Sequence, residues 1–415
     1  MTIFCSVETQ IKSFKCLLGL LLGLFLCNTG IAQMNVIVPD VLFVSLNANA
    51  QSVATGGVGV VASDLYTQNG LNQNPAILAR ADSILGFQAL NFVPWNKQIP
   101  EDFAGLRLFE SAYYQSFRRH AIGFAARYMR YNNEIALTDI TGNFVASFRP
   151  IEYFTQINYA YRFSSKLSLG VGLKYIRSNL TGGNNVQGFE TKTAQALAGD
   201  FGLDYRKYLR NTDRFKLKWN VGFSILNLGN RVSYLENNTS QDFLPQTMKL
   251  GTLLTFIWKA KNKNYLAWDV SYQANKLLVP TPPQYAFGAG GFIIEKGLDP
   301  NVSAMRGVLQ SFYDAPNGFR EELNEIIHQF GTEIRGSIID NKLLIAARAG
   351  YFLEHETKGA REILSIGLGI GYRGFQIDVA RPFHRNLPYI PHRYILSVGA
   401  RFNLTKGARL RFVEN

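Results

Sequence analysis

The side chains that most often carry out chemistry are few in this chain, and their spacing is not that of an active site. The 415 residues include five histidines and three cysteines. His355-Glu356 lacks the second histidine that a zinc protease places four residues after the first. Serines are scattered through alternating segments, and no Gly-x-Ser-x-Gly turn is present. The sequence therefore predicts no enzyme, no cofactor and no metal site.

One acidic cluster offers a possible catalytic interpretation. Glu321, Glu322 and Glu325 follow a turn at 314–320, in a stretch with helical spacing that extends to His328. Carboxylates are favoured in the first turn of a helix by its dipole. The simplest interpretation is a solvated helix, and a general acid–base role is the alternative.

Glycines near the N-terminus indicate close packing. Gly56, Gly57 and Gly59 could be mistaken for a phosphate-binding loop, but no lysine-bearing helix follows them. Glycine permits close backbone approach, and Asn74-Pro75 is a turn signal. We predict a compact, irregular or short-helical segment in which these five residues pack tightly.

The elements that must position these residues are strands. In 364–373, large apolar residues such as Ile366 alternate with small ones such as Gly367, which is a strand period. We therefore expect Ile366→Arg to be costly and Gly367→Ser to be mild. A soluble sandwich would also alternate, so the pattern alone does not identify lipid as the apolar surroundings. The same alternation returns at 167–175, 215–225 and 394–402.

Strand-length segments follow one another from residue 84 to residue 403, including single segments predicted at 285–295 and 331–340. Without the short ones, about 14 have the length that crosses a bilayer at a tilt. Tight turns such as Asp340-Asn341 alternate with long connections. We predict an all-β fold, a transmembrane antiparallel β-barrel.

The N-terminus has the features of a secretory signal peptide. Lys12 and Lys15 precede the apolar run 17–26, and small residues lead to Ala32, after which we expect cleavage. The alternative is a lipoprotein with its lipid attached to Cys27, but the residues around Cys27 are a poor context for lipid attachment. Removal of 1–32 leaves no cysteine, which suits an exported protein.

Composition supports a membrane barrel. Aromatic residues make up 13% of the chain and charged residues only 18%, a mixture suited to aromatic girdles around a polar interior. The net charge of +13 comes from dispersed basic residues, so we expect contact with outer-membrane lipid or partners and none with nucleic acid.

The longest interruption of the strand pattern is the segment 298–330. Its apolar content predicts an interaction surface, with the 178–193 loop beside it, unless the segment folds back as a lid. The apolar residues that we expect to contact a partner are Met305, Val308, Leu309, Phe312, Tyr313 and Phe319.

Several motifs carry a resemblance to a known family. The stretch 43–50, the glycines at 56–59, Asp64 and the Asn74-Pro75-Ala76 turn resemble the N-terminal signature of the FadL-like barrel superfamily. Within that superfamily, 175–183 and 310–319 resemble the PorV (LptO) family of type IX secretion system proteins of the Bacteroidetes, with Pro-Asn-Gly-Phe where Pro-Gly-Gly-Phe is usual. The resemblance extends over nearly the whole mature chain.

This resemblance implies a domain organisation and a function. An N-terminal plug at 33–83 would fill a barrel of about 14 strands at 84–404. Independently of the resemblance, the alternation that ends at Phe402 leaves residues 405–415 as an expected basic tail on the periplasmic side. The protein would bind C-terminal domains of cargo at the large type IX translocon barrel and deliver them to the attachment complex that contains a PorU-like sortase. Gliding bacteria export adhesins by this system. The alternative is a FadL-type channel for hydrophobic small molecules.

Overall fold

The computed structural model describes residues 35–63, 70–80, 84–94, 107–131, 134–186, 188–237, 241–260, 264–288, 291–339, 342–385, 394–404 and 410–412. The expected signal peptide and its cleavage site, Asp64 and the predicted turn at Asp340-Asn341 lie outside these residues. Residues Asn35–Asn415 belong to one compact unit.

Strands dominate this unit, as the alternation predicts. They are β1 (Ile84–Pro94), β2 (Arg107–Phe117), β3 (His120–Arg130), β4 (Ile135–Thr138), β5 (Phe144–Phe148), β6 (Ile151–Arg162), β7 (Leu167–Asn179), β8 (Asn185–Val186), β9 (Phe189–Glu190), β10 (Ala194–Asn211), β11 (Phe215–Gly229), β12 (Thr247–Lys259), β13 (Tyr265–Leu277), β14 (Gln284–Gly288), β15 (Gly291–Lys296), β16 (Ile327–Ile338), β17 (Leu343–Leu353), β18 (Glu362–Tyr372), β19 (Phe375–His384), β20 (Ile395–Leu404) and β21 (Leu410–Phe412).

Helices are short. They are α1 (Ala50–Ala54), α2 (Gly70–Gln73), α3 (Ala304–Gln310) and α4 (Phe319–Asn324), with 3₁₀ helices at Leu42–Ser45, Pro75–Arg80 and Glu356–Lys358.

The long strands form one antiparallel barrel. Fifteen strands of the described residues share a sheet in the order β1-β2-β3-β6-β7-β10-β11-β12-β13-β16-β17-β18-β19-β20-β21. Because β1 pairs with both β2 and β20, the order returns to its start and 14 strands form a ring. The short strands pair as hairpins outside it, β4 with β5, β8 with β9 and β14 with β15. The predicted all-β barrel is confirmed.

Three local predictions need correction. The segment 285–295 is the β14–β15 hairpin, because Gly291 pairs with Gly288 and the second strand therefore runs back along the first instead of continuing across the barrel. The helix predicted to reach His328 ends at Asn324, since Ile327 and His328 already pair with Asn275 and Ala274. Part of the predicted tail at 405–415 is strand β21, which pairs with β20 at 402–404.

Connections alternate in length around the barrel. Two to five residues join β2 to β3, β6 to β7, β10 to β11, β12 to β13, β16 to β17 and β18 to β19, and longer segments join the strands at the opposite rim. In outer-membrane barrels, short turns face the periplasm and long loops face outward. We call the two ends the short-turn rim and the long-loop rim.

The described part of 35–80, here called the plug, packs inside the barrel. Its Phe43 ring lies 6.2 Å from the ring of Phe154 on β6. Gly170 on β7 leaves room for the backbone of Pro75, since a Cβ there would lie 2.8 Å from the Pro75 oxygen. Small residues on the inner wall therefore accommodate a backbone that runs directly against them.

Buried polar groups fix the plug to the wall. Arg80 donates from Nε to Asp204 on β10 at 2.8 Å and forms a second bond to the same carboxylate. Gln51 donates to Asp378 on β19 at 2.6 Å. The backbone N–H groups of Gly59 and Val60 donate to Gln273 on β13 at 2.9 and 2.8 Å. The plug therefore satisfies buried charges and amides that the wall projects inward.

A pair of substitutions on β18 tests which face meets lipid. Ile366 points outward and is 48% exposed, whereas Gly367 points inward. Ile366→Arg should therefore destabilise the barrel by about 2 to 4 kcal/mol at mid-bilayer, measured by denaturant unfolding in bilayers. The mild effect expected for Gly367→Ser is wrong on geometric grounds, because a Cβ there would meet the Cβ of Ala54 and lie 2.8 Å from the Val379 oxygen. An Ile366→Arg barrel as stable as the parent would mean that this face does not meet lipid.

Candidate functional site at the long-loop rim

The long-loop rim is built around one connection. Residues 278–326, here called the rim loop, join β13 to β16 and contain the β14–β15 hairpin, α3 and α4. Arg231, in the β11–β12 connection, donates to Asn301 of the rim loop at 2.9 Å. The 178–193 loop contacts the same β11–β12 connection, where Lys192 N–H donates to the Tyr234 oxygen at 2.8 Å. That the 178–193 loop lies beside the rim loop stays a prediction.

The predicted contact residues of the rim loop lie on α3, α4 and the turn between them. Met305 is 66% exposed and Phe319 is 76% exposed, whereas Val308 is half-buried. The exposed members of the predicted set are Met305, Leu309, Phe312, Tyr313 and Phe319. Exposed apolar groups at this density are typical of an interaction surface. That they bind a partner stays a prediction.

The β14–β15 hairpin adds apolar residues that the sequence interpretation missed. Phe287 and Phe292 face each other across the ladder, 84% and 77% exposed, with their rings edge to face at 5.7 Å. Treated as one spanning strand, the segment 285–295 would have placed Phe287 and Phe292 on opposite faces, because side chains alternate along a strand. The close pair of glycines before Phe292 was the available turn signal.

A buried ionic network anchors the rim loop to the barrel. Glu325 pairs with Lys276 at the end of β13 at 2.5 Å and with Lys358 of the β17–β18 connection at 2.9 Å. Glu322 also pairs with Lys276 at 2.9 Å, and Glu321 pairs with Lys358 at 2.6 Å. All five residues are buried. We call them the anchor cluster, and they correct the interpretation of a solvated helix.

Neighbouring groups extend the anchor cluster in two directions. Glu325 accepts from the Thr281 hydroxyl at 2.7 Å, and Glu322 accepts from the Ala315 N–H at 2.8 Å. The plug contributes as well, because the Asn35 amide donates to Glu321 at 3.3 Å. Charged hydrogen bonds of this kind are the strong ones. The underside of the rim loop is therefore polar and fixed, while its outer side is apolar and exposed.

The pKa values of two carboxyl groups in the rim loop are shifted in opposite directions. Burial raises the pKa of Asp314 to about 6, against the opposing hydrogen bond from the Thr281 N–H. Burial would also raise the pKa of Glu321, but the Lys358 ammonium and the Asn317 N–H outweigh it and hold that pKa below its usual value. Ionised Asp314 therefore opposes docking of the loop, and ionised Glu321 favours it.

We expect the rim loop to be held more tightly at pH 5 than at pH 7.5. Protonation of Asp314 near pH 6 favours the docked loop, while the contribution of Glu321 is lost only below its ordinary pKa of 4.5. Amides in 304–326 should exchange hydrogen more slowly at pH 5, after correction for the intrinsic rate. Asp314→Asn should remove the difference, and an unchanged difference in that variant would contradict the assignment.

The residues predicted to pack the N-terminal segment all lie in the plug. Gly56 has φ +70°, and a Cβ there would lie 2.6 Å from the Tyr351 nitrogen on β17. Gly57 and Gly59 lie against the side chains of Gln329 and Gln73. Asn74 donates to the Val60 and Leu203 oxygens, both at 2.9 Å, so it ties the plug to itself and to β10. That these residues and Pro75 hold the plug in place stays a prediction.

Within the described ranges, no group of His, Cys, Asp and Glu side chains is arranged to hold a metal ion. No helix in the described part of the chain is long and apolar enough to cross a membrane.

Comparison with known proteins gives a family and several structural likenesses. The TbuX toluene transporter of Ralstonia pickettii is 12% identical, with 88% of this chain and 98% of that chain covered and a TM-score of 0.42. The CymD monoaromatic hydrocarbon channel is 14% identical, with 88% and 99% covered and a TM-score of 0.44. A FadL homologue of Pseudomonas aeruginosa is 11% identical, with 86% and 98% covered and a TM-score of 0.36. Likeness at this level carries no argument about function.

Among curated proteins there is no significant match. The family model described as "Type IX secretion system protein PorV" matches residues 29–284, which is more than half of the chain. The predicted membership of this family is thereby confirmed, and the motif at 310–319 lies outside the matched residues. This chain belongs to the PorV family of type IX secretion system outer-membrane proteins.

Proposed function

We propose that this protein binds the C-terminal domains of cargo at the type IX translocon and delivers them to the surface attachment complex with its PorU-like sortase. The observation that carries the proposal is the two-sided rim loop, with an apolar outer side and a buried ionic underside. A rigid, exposed apolar surface gives hot-spot residues that need no ordering on binding. The proposal places the barrel in the outer membrane with its long-loop rim facing outward and its short-turn rim facing the periplasm. No catalytic role is proposed.

The FadL-type channel is the competing function, and the interior of the barrel disfavours it. A channel for hydrophobic small molecules needs a continuous apolar path. Here the plug lies directly against Gly170, and buried pairs such as Arg80 with Asp204 cross between plug and wall. An apolar ligand would have to break those pairs, which is costly for buried charges.

The proposal predicts a loss of secretion without loss of the barrel. Met305→Gln, Leu309→Gln and Tyr313→Ser together remove exposed apolar groups and leave the anchor cluster intact. These substitutions are cleaner than replacing 304–317 with a Gly/Ser turn, because that deletion also removes Asp314 and Ala315, which are part of the docked underside. We expect cargo to fail to reach the surface, since each hot-spot residue is worth about 2 kcal/mol or more.

The matched control changes exposed apolar residues on another long loop, Phe144→Ser and Val145→Gln in the β4–β5 hairpin. Cargo at the cell surface and barrel in the outer membrane are both measured by immunoblot. Normal secretion by the triple variant at parental barrel level would mean that the rim loop is only a lid.

A further inference from the structure

The outward wall of the barrel has a groove where the side chains are small. Ser111, Ala126 and Thr155 point outward and lie side by side on β2, β3 and β6, because Ser111 pairs with Ala126 and Ala126 pairs with Thr155. Larger outward residues frame them, so a groove of about 640 Å³ opens to the outside. We call it the wall groove. Its frame consists of Tyr113, Phe124, Ile157, Leu173, Tyr175 and Leu197.

The wall groove lies on the face that meets hydrocarbon. Phe124, Ile157 and Leu173 are exposed, and Tyr113 and Tyr175 of the frame are half-buried. Between apolar surfaces in a bilayer there is no hydrophobic driving force, so shape and dispersion decide which group fills a recess. A flexible acyl chain can enter such a recess.

Basic residues lie at the long-loop rim above the wall groove. Arg107 and Arg130 face each other directly across β2 and β3, and both are exposed. Neither of them forms an ion pair with another residue that the structure describes. Like charges placed opposite each other across a ladder destabilise it unless an anion lies between them. Ser111 is four residues further along β2, about 13 Å at roughly 3.3 Å per residue.

We propose that the wall groove and this arginine pair form a binding site for a phosphorylated, acylated lipid of the outer leaflet. The acyl chain would fill the recess beside Ala126, and the guanidinium groups of Arg107 and Arg130 would bind the phosphate, for which their planar fork is suited. The site uses the outward orientation of the long-loop rim given under the proposed function. It does not depend on cargo binding, since none of its residues belongs to the rim loop.

The experiment measures lipid binding to the intact, delipidated barrel by native mass spectrometry. The probes are lipid A, its dephosphorylated form and inorganic phosphate. We expect lipid A to bind at least about tenfold more tightly than the dephosphorylated form, because a hydrogen bond to a charged group is worth that much. Arg107→Gln with Arg130→Gln should remove this preference.

Two further variants separate the recess from the charges. Ala126→Leu should fill the groove and weaken lipid A binding, whereas Ala347→Leu, at an outward alanine on β17, should leave it unchanged. Thr155→Leu replaces Ala126→Leu if the latter does not give a heat-modifiable, folded barrel. Three outcomes would overturn the proposal. The first is equal binding of lipid A and its dephosphorylated form, and the second is complete displacement of lipid A by inorganic phosphate. The third is that a photo-crosslinker placed at residue 126 captures a protein and no lipid.

Discussion

Replacing Glu325 with leucine should release the rim loop while the barrel stays folded. The carboxylate bridges two buried ammonium groups, Lys276 at 2.5 Å and Lys358 at 2.9 Å, and accepts from Thr281 at 2.7 Å. Removing one partner of a buried ion pair costs about 3 to 5 kcal/mol, because the charge left behind stays desolvated. Glu322 and Glu321 each retain one lysine, so the cluster is weakened at its centre.

Limited proteolysis of the protein in outer-membrane vesicles measures this release. We expect rapid cleavage within 304–326 of Glu325→Leu and slow cleavage of the parent. Glu325→Gln keeps the shape and the acceptor for Thr281 but removes the charge, so its cleavage rate should be intermediate. Delivery of cargo should fall in the same order. Parental cleavage rates in Glu325→Leu would show that the anchor cluster does not hold the loop.

Replacing Arg80 with methionine should loosen the plug. Its guanidinium is buried, forms two hydrogen bonds with Asp204 and donates a further one to the Ala62 oxygen. The substitution leaves the Asp204 carboxylate without its counter-ion inside the barrel, at a cost of about 3 to 5 kcal/mol. The population of barrels with a displaced plug should therefore rise by about two to four orders of magnitude.

Ionic conductance in planar bilayers checks that result. Parental barrels should be closed, and Arg80→Met barrels should show channel openings. Adding Asp204→Asn to the Arg80→Met chain should make these openings rarer, because the second substitution removes the unpaired charge. The control is Arg149→Met, which breaks an exposed pair with Glu134 at 3.8 Å that is worth little. If Arg80→Met barrels stay closed, the plug is held in place by contacts other than those of Arg80.

The fold followed from the sequence because a barrel strand has one apolar and one small or polar face. In β18 this alternation located both the strand and its outward side, with Ile366 exposed and Gly367 buried. Connection lengths then separated the two rims. What alternation could not give is the content of the interior, so the contact of Gly367 with Ala54 of the plug was missed.

The sequence predicted the part of the rim loop from residue 298 onwards, but neither its β14–β15 hairpin nor its anchor cluster. Glu325 and Lys358 are 33 residues apart, and Lys276 lies on β13, before the rim loop begins. No local sequence spacing therefore links the three residues. The helix dipole is by itself a sufficient reason for acidic residues in a first turn, so the sequence offered no reason to expect the buried ionic network. The extent of α4 also depended on pairing with β13, which begins at Ile327.

The central claim is that the outer side of the rim loop binds cargo or the translocon. Site-specific photo-crosslinking in living cells tests it most directly, with the probe at Tyr313 or Phe287 on the rim loop and, as control, at Val171 on the outward wall. We expect adducts with cargo C-terminal domains or the translocon barrel from the two rim positions and none from position 171. Adducts from position 171 alone, or no protein adduct at either rim position while secretion proceeds, would contradict the claim.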